Sequence, residues 1–101
     1  MLGGDEETAE ILISDFVNTT GRSVKELDDL LSQQSMESAA KLAHSMKGAA
    51  ANIQCGLFAD LIKMFEKEVH SGNVNNAYRT LSAVKEEWET LLPILNKSIS
   101  V

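Results

Sequence analysis

Met36-Glu37-Ser38-Ala39-Ala40-Lys41-Leu42-Ala43-His44-Ser45-Met46-Lys47-Gly48-Ala49-Ala50-Ala51-Asn52-Ile53 is the stretch whose reading decides the fold. Met36, Ala39, Ala43, Met46, Ala50 and Ile53 recur at alternating three- and four-residue steps, the spacing of a helix that buries one face. Most of these side chains are small, so neighbouring helices can approach closely. Ser35 stands where a capping residue would precede the first turn.

Working outward, the same periodicity continues on both sides. Downstream, a segment from about Leu57 to His70 offers Phe58, Leu61, Ile62, Phe65 and Val69 to a core. Gly72 and Asn73 follow, a stop signal beside a start signal. The last segment carries the longest seam: Val74, Ala77, Leu81, Val84, Trp88, Leu91 and Leu95. Pro93 interrupts it, at a cost of about 3 kcal/mol in a helix interior, and the chain either kinks there or ends its helix near Leu91.

Upstream, Asp5 to Thr20 presents Ile11, Ile13, Phe16, Val17 and Thr20, with Gly4 or Asp5 as a cap and Gly21 as a stop. Ser23-Val24-Lys25-Glu26 then fits a capping box, opening a segment to about Gln33 with Val24, Leu27, Leu30 and Leu31 inward. Short connections make sequential helices antiparallel neighbours. The expected fold is all-α: an antiparallel up-down four-helix bundle with an additional N-terminal helix lying across one end or side. One domain spans residues 1–101, and residues 1–4, with Gly3-Gly4, read as a linker or tag remnant.

Composition supports this class. The chain has 101 residues, 44% of them hydrophobic, enough for one modest core, and a single proline. Ala, Leu, Glu, Lys and Ser dominate, as they do in helices. A net charge of −6, with nine Lys and Arg and no basic run, argues against nucleic acid as a partner. One cysteine, Cys55, cannot form an internal disulfide, and the acidic start lacks the layout of a signal peptide. No apolar run approaches the roughly 20 residues of a membrane span. The expectation is a monomeric protein in the reducing cytoplasm.

Chemistry concentrates around His44. On a helix, Lys47 and Gly48 share its face, with Ala40 and Lys41 one turn back. His44 lies one step off the apolar seam, so its ring should be partly exposed while its stem is held. An imidazole is largely neutral and nucleophilic at cellular pH. Attack on phosphorus leaves it positively charged, which makes the phosphoryl group easy to pass on. A lysine one turn away can neutralise phosphoryl oxygens. Glycine in mid-helix costs about 1 kcal/mol relative to alanine. Open space for another protein's active site explains Gly48 where stability does not.

Ala43-His44-Ser45-Met46-Lys47-Gly48, followed by Ala51-Asn52-Ile53, resembles the motif of histidine-containing phosphotransfer (HPt) domains of two-component phosphorelays. Phe16, the stretch Leu61 through Glu66, the Gly72-Asn73 break and the leucine-rich last segment extend the resemblance over nearly the whole chain. It implies that His44 is the phospho-acceptor, reacting through Nε2, that Lys47 contacts the phosphoryl group and that Gly48 leaves room for the donor. The pattern departs at Gln54, where the family often has glycine, which shifts the expected end of the third helix by a residue or two.

The function implied is that of a phosphorelay intermediate. His44 takes a phosphoryl group from a receiver-domain aspartate and passes it to another receiver, with a sensor histidine kinase as a further partner. The chain lacks a glycine-rich phosphate loop, so it is expected to be a phosphotransfer protein with no kinase activity and no cofactor, any Mg²⁺ belonging to the receiver. Docking is expected through Ala40, Lys41, Ala51, Cys55 and Lys63. Two alternatives stay open: the phospho-accepting domain of a chemotaxis-type histidine kinase, and a non-catalytic helical adaptor.

Other candidates carry bland readings. His70 suits the dipole at a helix end. No carboxylate or second histidine falls at ligand spacing beside His44 in sequence, so no metal site is expected. Cys55 reads as a helix-end residue, Trp88 and the methionines as core, and Asp28-Asp29 and Glu86-Glu87 as solvated faces.

Overall fold

A computed structural model describes residues 2–53 and 55–99, with side chains described for 11–53 and 55–97. Four helices account for nearly all of them: α1 (Leu2–Ser32), α2 (Met36–Asn52), α3 (Gly56–His70) and α4 (Val74–Ile99). Among the described residues there is no β-strand. Each helix packs against its sequence neighbour and α4 returns to α1, closing a ring about 50 Å long and 20 Å across.

The separate N-terminal helix is absent, because the two upstream segments are one continuous α1. Neither Gly21 nor the Ser23 capping box interrupts it. The buried positions Phe16, Thr20, Ser23, Val24, Leu27 and Leu31 keep one helical register straight through Gly21, so breaking there would uncover the core. Trp88 adds to this, since its ring lies within 3.9 Å of where a Gly21 Cβ would stand. Helix α1 begins at Leu2, ahead of the expected cap at Gly4 or Asp5 and across the stretch read as a linker.

The remaining boundaries follow the local signals closely. Gln34 adopts φ 58°, turning the chain out of α1, while Ser35 precedes α2 without making a side-chain capping bond. Helix α2 ends at Asn52, and Gln54 lies outside the described residues. Gly72 adopts φ 74°, the left-handed geometry that closes α3. Asn73 then accepts a bond from the Asn76 amide at 3.2 Å and opens α4. Pro93 neither ends nor shortens α4, which runs on to Ile99.

The core is the seam read from the sequence. Leu27, Leu31, Ala39, Ala43, Ala50, Phe58, Ile62, Phe65, Leu81 and Val84 are almost wholly buried. Trp88 joins three helices, meeting Phe16 edge-on at 5.8 Å and Phe58 at 5.5 Å between ring centroids. Two apolar expectations fail. Ile11 is 60% exposed: α1 has 31 residues against 17 in α2, so its first turns run past the helix that would cover them. Met64 is also exposed, on the outer face of α3.

Candidate functional site

The face shared by α2 and α3 carries the polar cluster. Ala43 and Met46 are buried and pin α2, which leaves the intervening His44 at the rim, its side chain 69% exposed. On α3, buried Ile62, Phe65 and Val69 place Glu66 beside that rim, only 15% exposed.

Glu66 is the hub. Its Oε2 lies 3.2 Å from His44 Nδ1, and its Oε1 accepts a bond from Lys47 Nζ at 3.2 Å. His70, one turn on, brings its Nε2 to 3.8 Å from the same Oε2. Burial acts to raise the Glu66 carboxyl, but the Lys47 ammonium and the His44 ring outweigh it and hold it below the usual carboxylate range. An ionised carboxylate on Nδ1 favours the tautomer with its proton there, which leaves the Nε2 lone pair outward. Nε2 has no partner among the described residues.

Of the positions picked out in the sequence, the structure gathers some and scatters others. Ala40, Lys41 and His44 line one shallow depression with Glu37, Ser45, Glu66 and His70. Ala40 is buried and forms part of its wall instead of an open surface. Lys41 pairs with Glu37 on its own helix at 3.6 Å, both side chains well exposed. Gly48 lies on the exposed side of α2, and a Cβ there would meet nothing within 4 Å. Ala51 and Lys63 are exposed outside the depression, and Cys55 is half-buried at the start of α3. Burial, then the Glu87 carboxylate, pushes the Cys55 thiol up, which suits a packing role.

Sequence reading missed Glu66 and set His70 aside. A carboxylate and a second histidine do stand beside His44, supplied by α3 and not by spacing along α2. Even so, no group of three or more His, Cys, Asp or Glu suited to a metal ion is found among the described residues. The signal available for Glu66 was its place next to Phe65 and four residues after Ile62, at the edge of the α3 seam.

Fold and site together define a class: a small helical bundle that presents one histidine at its surface with a lysine and a carboxylate at hand. A protein-family model described as the Hpt domain matches residues 11–93. The chain belongs to the Hpt domain family, whose members are phosphotransfer modules of two-component signalling that work with receiver domains and kinases. Searches of curated proteins and of solved structures gave no match. No helix among the described residues is long and apolar enough to cross a membrane.

Proposed function

We propose that this protein is a phosphorelay intermediate in which His44 takes a phosphoryl group from the aspartyl phosphate of one receiver domain and delivers it to the aspartate of another. The observation that carries this reading is the His44 side chain, 69% exposed and held by Glu66 through Nδ1, so that Nε2 is the ring nitrogen left without a partner among the described residues.

The transfer balances without a proton leaving the site. The Nε2 lone pair attacks phosphorus, the N–P bond forms, and the bond from phosphorus to the aspartyl oxygen breaks to release a carboxylate. The Nδ1 proton stays where it is, and the positive charge that develops on the ring faces the Glu66 carboxylate. Lys47 starts on Glu66 Oε1 and has only to swing outward to meet phosphoryl oxygens. Gly48 leaves space beside the ring for the receiver's loop. Lys41 adds a cation at the same rim, suited to the acidic pocket of a receiver.

The protein needs no cofactor of its own in this reading, and Mg²⁺ sits on the receiver. It acts as a monomer in the cytoplasm and docks through the exposed side of α2, with Ala51, Cys55 and Lys63 at the margin. Incubation with a receiver charged by acetyl phosphate should yield acid-labile, base-stable phosphate on the protein. His44→Gln should abolish it with helical circular dichroism unchanged. Labelling that persists in His44→Gln, or none in the wild type, would overturn the assignment.

A further inference from the structure

His70 stands outside the scheme above, yet it touches it. Its Nε2 lies 3.8 Å from Glu66 Oε2, the same oxygen that holds His44 Nδ1 at 3.2 Å. One carboxylate oxygen thus faces two imidazoles, one from α2 and one from its own helix. The other oxygen is committed to Lys47. The His70 side chain is 67% exposed.

We propose that His70 is a positioning residue for phosphotransfer: when protonated it competes with His44 for Glu66 Oε2, and so controls which nitrogen of His44 is free to react. The inference rests on the phosphotransfer reading and deepens it. A neutral His70 interacts weakly with Glu66, and the carboxylate anchors the proton on His44 Nδ1. A protonated His70 is a cation one helical turn from Glu66 and draws Oε2 to itself. His44 then loses the partner that fixed its tautomer, and part of its population moves the proton to Nε2. That form has no lone pair at the reacting atom.

Charged and titratable groups around His70 are those that line its depression, together with Lys47, which is held on the other oxygen of Glu66. From α2 come Glu37, Lys41 and His44, and from α3 Glu66; α4 supplies none to this depression. Lys41 and Glu37 pair with each other at 3.6 Å, both well exposed, and Glu66 is the carboxylate that comes within 4 Å of His70.

The test is the tautomer ratio of neutral His44, read from ring nitrogen shifts by NMR between about pH 6 and pH 8, the range in which histidines titrate. Wild type is compared with His70→Gln, which is never charged, and His70→Lys, which is always charged. In the wild type, the share protonated on Nδ1 should fall relative to the Nε2 form by about two- to fivefold as the pH drops, the range an exposed ion pair carries. His70→Gln should hold the high ratio, and His70→Lys the low one, across the same range. Transfer rates from a charged receiver should follow, with His70→Gln keeping its rate to lower pH than the wild type. An identical tautomer ratio in all three proteins would overturn the proposal. Failure of phosphotransfer in every protein would overturn the relay reading instead, because the tautomer measurement needs no phosphoryl donor.

Discussion

Replacing Glu66 with alanine removes both restraints at the reacting face at once. The His44 and Lys47 bonds to its two oxygens are each 3.2 Å. Hydrogen bonds to charged groups contribute about 1.5–3 kcal/mol, and the exposed position of His44 puts its bond at the low end. Loss of about 1.5 kcal/mol of orientation corresponds to roughly a tenfold slower transfer step. Glu66→Gln keeps an acceptor for one of the two partners and should fall between Ala and wild type. The assay is rapid-quench transfer from a phosphorylated receiver at saturating concentration, so that docking does not limit the rate. The same variant has a stability signature. The folded-state carboxyl sits below its usual range, so its pairing stabilises the protein above about pH 4.3, and that contribution is lost as the pH falls through the lowered folded value. The stability gap between wild type and Glu66→Ala should therefore close in acid. Transfer by Glu66→Ala at the wild-type rate would refute the role given to this carboxylate.

Three further outcomes are expected. Gly48→Ala meets open space and should raise stability by up to about 1 kcal/mol, seen as a higher Tm, whereas Gly48→Gln should slow transfer by blocking the receiver. Phe58→Ala empties a fully buried site beside Trp88 and should cost about 3–5 kcal/mol in urea titrations; a loss under 1 kcal/mol would mean that the core is packed differently. Titration of a cognate receiver into isotope-labelled protein should shift amides between Ala40 and Cys55 and near Lys63, and shifts confined to Ala77–Leu91 would place the interface elsewhere.

The seams of α2, α3 and α4 were legible because their apolar residues follow the helical period without competing signals. The Gly72-Asn73 break was legible because a left-handed glycine and a capping asparagine act locally. Gly21 misled for the opposite reason. Its local signal and the Ser23 box are real, but the helical spacing that runs unbroken from Phe16 to Leu31 and the Trp88 ring above Gly21 outweigh them; the spacing crosses the glycine in the sequence, and the Trp88 contact is tertiary. Pro93 belongs with it, a local breaker overridden by the packing of Trp88 and Leu95 on either side. At the site, the helical offsets of His44, Lys47 and Gly48 could be read along one element. Glu66 and His70 could not, since their approach to His44 depends on how α3 is set against α2, a register that no spacing within either helix encodes.

The claim that matters most is that Glu66 holds Nδ1 so that Nε2 of His44 receives the phosphoryl group. Phosphorus and ring-nitrogen NMR of the protein after reaction with a charged receiver tests it directly. A single phosphohistidine at His44, bonded through Nε2 with the proton retained on Nδ1, is the expected result. Phosphate on Nδ1 of His44, or on His70, would contradict it.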